Sequence, residues 1–142
     1  VNERYLFRGK LLDNGEWVQG YYVGAVGYGD CDEICNINLV SGHRVEIDPD
    51  TVGQCTGLRD KRGKLIFEGD IANIEYTEID GEVCFAHEVV TWRDGGWVLL
   101  DVNTDSYCVL DGKDNEILEV IGNIHDNPEL LDGLPHRRNI QY

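Results

Sequence analysis

The chain has 142 residues, 42% of them hydrophobic, and a formal net charge of −15. That is enough apolar material for one domain, or two very small ones sharing a core, and it excludes wholesale disorder. No apolar run approaches the roughly 20 residues of a membrane helix, and the acid excess repels nucleic-acid phosphates at long range.

Seventeen glycines against three prolines, scattered among Val, Ile, Tyr and Trp, predict a turn-rich, mainly β protein. Split at Gly53, the two parts carry 9 acids against 4 bases and 18 acids against 8, so both are acidic. The five cysteines, at 31, 35, 55, 84 and 108, are odd in number. The opening VNERYLFRGK has no signal-peptide core. Together these predict thiols in a reducing cytoplasm rather than a disulfide framework.

Arg4 to Leu12 alternates in polarity and reads as a half-buried strand. Asp13-Asn14-Gly15 is a hairpin turn, and Glu16 to Val23 is the return strand. Gly24 to Asn36 is glycine-rich, acidic and weakly periodic, and reads as a loop. Asn36–Val40 and His43–Ile47 form a second hairpin about Ser41-Gly42. Asp48 to Asp70 (DPDTVGQCTGLRDKRGKLIFEGD) sets a proline, four glycines and a basic turn between strand-like segments. Within it RGKLI at 62–66 nearly repeats RGKLL at 8–12, too short an echo to establish duplication.

Asp70–Thr77 alternates again, with Ala72, Ile74 and Tyr76 expected inward. Val83–Trp92 and Trp97–Val102 form the clearest hairpin, about Asp94-Gly95-Gly96. Ser106–Leu110 is ambiguous between strand and helical turn. Ile117–Ile124 is a last strand. Asn127-Pro128 opens a short helix near 128–133, with Asn as N-cap and Pro in the first turn. HRRNIQY is a loose tail.

Eight to ten short strands at this spacing predict a small β-barrel or paired barrel-like sheets, the second part SH3-like, with one short C-terminal helix. The regions are 1–53, an N-terminal hairpin region, and 54–142, a barrel-like region, or the two form one continuous domain.

RYLFRGK at 4–10, NGEWVQGYY at 14–22, the whole 48–70 block and EVIGNIHDNPELL at 119–131 occur in this order. Taken as an ordered set, they resemble the YopX family of phage and prophage proteins. Cys55 stands where members of that family often carry Tyr or Phe. The resemblance implies a phage or prophage origin, a mainly β fold and the cytoplasm of an infected bacterium. It brings no catalytic residues with it.

His43, Asp48, Asp50 and Asp70 are the candidate metal ligands, the set a metal-assisted hydrolase would use. Asp-Pro-Asp-Thr is equally good turn chemistry, and that reading is preferred. Glu68-Gly69-Asp70 reads as a bend whose aspartate bonds loop amides. Cys31 and Cys35 lack zinc spacing, and Cys84 and His87 point to opposite faces of a strand.

The turn holding Arg59, Lys61, Arg62 and Lys64 is a local positive spot that could touch phosphate, against the opposing long-range field. Trp17, Trp92 and Trp97 read as core and cross-strand packing. No Walker loop, dinucleotide fingerprint, GxSxG or HExxH is present, so neither an enzyme nor a cofactor is expected. The favoured function is a non-enzymatic module that binds a protein partner or a second copy of itself, with no role at a membrane. An acidic nucleic-acid mimic directed at a host protein is a further alternative.

Overall fold

The structure is a computed structural model and describes residues 2–26, 34–39, 41–112, 117–132 and 136–137. It is mainly β, and the strands form two antiparallel sheets. The chain separates into two compact units, Val1–Gly57 and Leu58–Tyr142.

The first unit contains β1 (Phe7–Lys10), β2 (Trp17–Val26), β3 (Ile34–Leu39), β4 (Arg44–Ile47) and the start of β5 (Gly53–Arg59), hydrogen-bonded in the order β4-β3-β2-β1-β5. The expected loop 24–36 is strand at both ends: β2 runs to Val26, and β3 begins at Ile34. Cys31 lies outside the described residues, with the rest of 27–33, as does most of the C-terminal tail.

Ile37 and Ile47 are fully buried, with Phe7, Val18, Leu39, Val45 and Val52 packed about them. Two glycines make that packing possible. A Cβ on Gly9 would stand 2.7 Å from Ile47 Cδ1, and one on Gly20 would stand 2.2 Å from the carbonyl oxygen of Asn38. The sheet curls until β4 meets the residues just past β1. Leu11 and Ile47 form an isolated bridge, and Asp48 N–H donates to the Lys10 carbonyl at 2.8 Å.

β5 runs through the division between the units, and β6 (Leu65–Phe67) is hydrogen-bonded next to it. The second sheet has the order β10-β9-β8-β7-β11, from β7 (Asp70–Thr77), β8 (Val83–Arg93), β9 (Gly96–Leu100), β10 (Tyr107–Val109) and β11 (Leu118–Asn123). Here β12 (His136–Arg137) pairs beside β8. Within Ser106–Leu110 the strand is Tyr107–Val109.

β8 and β9 turn through Asp94-Gly95 with φ of 52° and 81°. Two consecutive positive φ values are what a two-residue hairpin turn of matching twist requires. Ile66, Ala72, Val90, Leu99, Leu110, Leu118 and Val120 make the core of this unit. Each fully buried aliphatic side chain among them contributes about 1.5–3 kcal/mol. Tyr76, expected inward with Ala72 and Ile74, is exposed, because β7 is buried only over its first half.

Two expectations need correction. Neither sheet is a closed barrel among the described residues: the second runs from edge β10 to edge β11, and in the first β4 meets the chain at the end of β1 only through the isolated Leu11–Ile47 bridge and the bonds beside it. Local periodicity fixes which side chains face inward, whereas closure depends on shear and edge pairing.

The short helix near 128–133 is a single 3-10 turn, Pro128–Leu131, and Asn127 makes no side-chain cap bond there. Its Oδ1 instead accepts the N–H of Asn123 at 3.3 Å and lies where a Cβ on Gly122 would be, 2.5 Å away. The Asn side chain therefore closes the turn leaving β11 and accepts no first-turn N–H.

Candidate functional site

The sequence-derived candidates fall into turns. Asp48 accepts the N–H of Asp50 at 3.0 Å and caps the 3-10 turn Pro49–Thr51. The buried Thr51 then accepts the N–H of Lys10 at 2.9 Å. His43 is exposed and its Nδ1 lies 3.3 Å from Ser41 Oγ. In the second unit the buried Asp70 accepts the N–H of Phe67 at 2.7 Å across the bend at Gly69, whose φ is 88°. His43, Asp48 and Asp50 do not bring their ligand atoms together. The group of described residues whose ligand atoms do converge, all within 4.8 Å, is Glu78, Glu82 and Cys84.

The basic turn is a clasp on β11. Asp60 is buried at its base and accepts three backbone N–H groups, from Arg62, Lys64 and Val120, each at 2.9 Å. Burial pushes the Asp60 carboxyl up. The bonds from Val120, Lys64 and Arg62, with the Lys64 charge, outweigh it and hold the group below the ordinary carboxylate range. Lys61 N–H donates to the Leu118 carbonyl, and Arg62 and Lys61 reach Glu119 at 2.7 and 3.8 Å. Arg59 donates to the Gly63 carbonyl at 2.7 Å. The positive spot thus turns much of its charge inward on its own sheet.

Exposed aromatic and apolar groups stand at the β8–β9–β10 end of the second sheet, Trp92 on one face and Tyr107 and Val109 on the other. Trp92 and Trp97 are directly cross-strand, edge to face with centroids 5.0 Å apart, so cross-strand packing of this pair is present. Trp92 is nevertheless 53% exposed. Tyr107 and Val109 on β10 are 44% and 66% exposed.

A bonded framework holds Tyr107. Arg93 donates two hydrogen bonds to the carboxylate of Asp105, at 3.0 and 3.1 Å, and its guanidinium lies 5.2 Å from the centre of the Tyr107 ring. The Tyr107 hydroxyl donates to Asp94. That bond and the Asp94 charge push the Tyr107 pKa up, while the Arg93 bond and charge hold Asp105 down. Asp94 and Asp105 both have left-handed backbone, with φ of 52° and 58°. Aspartate tolerates that region better than most residues.

Glu88 lies on the same sheet. Its Oε2 is buried with no hydrogen-bond partner, and it pairs across the strands with Ala72. Burial first, and then the nearby Asp101 charge, pushes its pKa up to about 7. Sequence pattern pointed to neither Glu88 nor this surface. The available signal was a single acid at 88 among the apolar positions of an otherwise well-alternating strand.

A sequence model of the YopX protein family matches residues 6–132. The chain belongs to the YopX family. The match spans all four segments that carried the resemblance, apart from the first residues of RYLFRGK, and both units of this YopX chain. No curated protein matches it. No described helix of the YopX chain is long and apolar enough to cross a membrane.

Proposed function

We propose that this YopX-family chain is a phage- or prophage-encoded protein acting in the bacterial cytoplasm as a non-enzymatic module that binds a protein partner. The phage origin and the compartment rest on the family resemblance. The observation that carries the binding role is the exposed face of β10 bearing Tyr107 and Val109, with Tyr107 held by its bond to Asp94 beside the Arg93–Asp105 pair. Rigid aromatic side chains already fixed in place lose little entropy on association, which is why such residues dominate binding energy. The hydrolase reading has less support. Asp48 and Asp70 use their carboxylates on backbone amides, and His43 sits at a hairpin tip beside Ser41.

The test is affinity capture from bacterial lysate with light scattering of the purified chain. A partner retained by the wild type and lost by a Tyr107→Ala/Val109→Ala variant with unchanged circular dichroism is the expected result. A strict monomer that captures nothing overturns the proposal.

A further inference from the structure

The second sheet has two edges, and they are treated differently. The β11 edge is occupied by the 60–64 turn, through Lys61 N–H to Leu118 and Val120 N–H to Asp60. No described strand pairs with β10 on its outer side. Its backbone geometry follows from the register. Cys108 pairs with Leu99, Asp101 N–H donates to Ser106, and Leu110 N–H donates to Trp97. In an antiparallel ladder the alternate residues therefore turn their N–H and C=O groups away from the neighbour. Those residues are Tyr107 and Val109.

Natural edges are usually defended by short length, lysine, proline or a bulge. The strand Tyr-Cys-Val is short but has no lysine, proline or bulge, and its side chains are all exposed.

The charge around this edge is mainly negative. Between Trp92 and Gly112 stand four aspartates, at 94, 101, 105 and 111, against the single Arg93. A second copy would bring the same excess and the same net charge of −15, so two β10 edges repel each other.

We infer that β10 accepts an extended, basic segment of another protein as an added strand, bonded to the backbone of Tyr107 and Val109, with cationic side chains among the surrounding aspartates. This deepens the binding-module reading and rests on it. The added strand finds outward groups on only two residues, so its apolar side chains must also pack beside Tyr107 and Val109. Binding of this kind draws affinity from main-chain bonds and specificity from alternate side chains. Its electrostatic part weakens as salt screens the charges.

The test uses a fluorescent peptide alternating lysine and valine, one alternating glutamate and valine, and the lysine peptide with alternate amides N-methylated. Each is titrated against the full chain. The key variant is Val109→Pro. It removes an outward N–H and leaves the β9 ladder and every charge in place, as proline is tolerated on a strand edge facing solvent.

The lysine peptide is expected to bind at least about tenfold tighter than the other two and to weaken at high salt. Val109→Pro is expected to lose about tenfold in affinity while keeping its urea midpoint. Amide exchange at Tyr107 and Val109 is expected to slow in the complex. Absence of binding, equal binding of the lysine and glutamate peptides, or binding unchanged by Val109→Pro overturns the inference. So does a dimer that Val109→Pro dissolves, since the occupant is then a second copy. If the lysate partner is retained undiminished by Val109→Pro, this edge is wrong and the binding-module reading still stands.

Discussion

The Oδ2 of Asp60 accepts the backbone N–H of Val120 at 2.9 Å across 60 positions of sequence. With its other oxygen on Arg62 and Lys64, one buried carboxylate ties a turn to the edge strand β11. An unmade hydrogen bond at a buried backbone group costs about 1–3 kcal/mol.

Asp60→Ala is therefore expected to destabilise the second unit by about 2–4 kcal/mol, read from urea unfolding. The folded pKa of Asp60 is depressed, so its contribution is present above the unfolded value near 3.8 and is lost as pH falls through the folded pKa. Asp60→Asn should flatten that acid limb. An acid limb identical to wild type refutes the assignment.

Glu88 has the opposite sign. Its pKa is raised from 4.5 to about 7, so the folded state holds the proton more tightly and stability falls as pH rises between those values. Glu88→Gln should stabilise the protein well above pH 7 and change little below 4.5. After discounting for solvent screening the gain is about 1–2 kcal/mol. Urea midpoints of both proteins at the two pH extremes check this, and parallel pH curves would count against it.

Gly20→Ala tests the close approach in the first unit. The added Cβ collides with the Asn38 carbonyl at 2.2 Å and Ile37 Cγ2 at 2.6 Å, and backbone cannot yield as a side-chain tip can. The expected loss is about 3 kcal/mol or more. Gly42→Ala meets no atom within 4 Å but sits at a φ of 92°, so its cost is smaller, about 1 kcal/mol. Thermal unfolding ranks the two, and a reversed order would refute the packing described.

Thiol reactivity should follow burial. Cys108 is exposed on β10, whereas Cys55 and Cys84 are fully buried, and none of the three is in a disulfide. Brief iodoacetamide treatment with peptide mapping should label Cys108 in the native protein and reach Cys55 and Cys84 only in denaturant. Labelling of Cys84 at the rate of Cys108 would show that β8 is not packed as described.

Sequence by itself determined many of the strands. Asp70–Thr77 emerges with the bounds that its alternation predicts, and the hairpin about Asp94-Gly95 follows from the conformational freedom of those two residues. Alternation and turn chemistry are local, so a linear reading reaches them. The bond from Asp60 to Val120, the exposure of Trp92 and the diversion of Asn127 from capping to turn closure were decided only in three dimensions. Each depends on which distant backbone group, or which absence of a neighbour, meets a side chain after the sheets form. The same reason hid the open edge at β10: period-two burial orients side chains, but it is silent on which strand is last in a sheet.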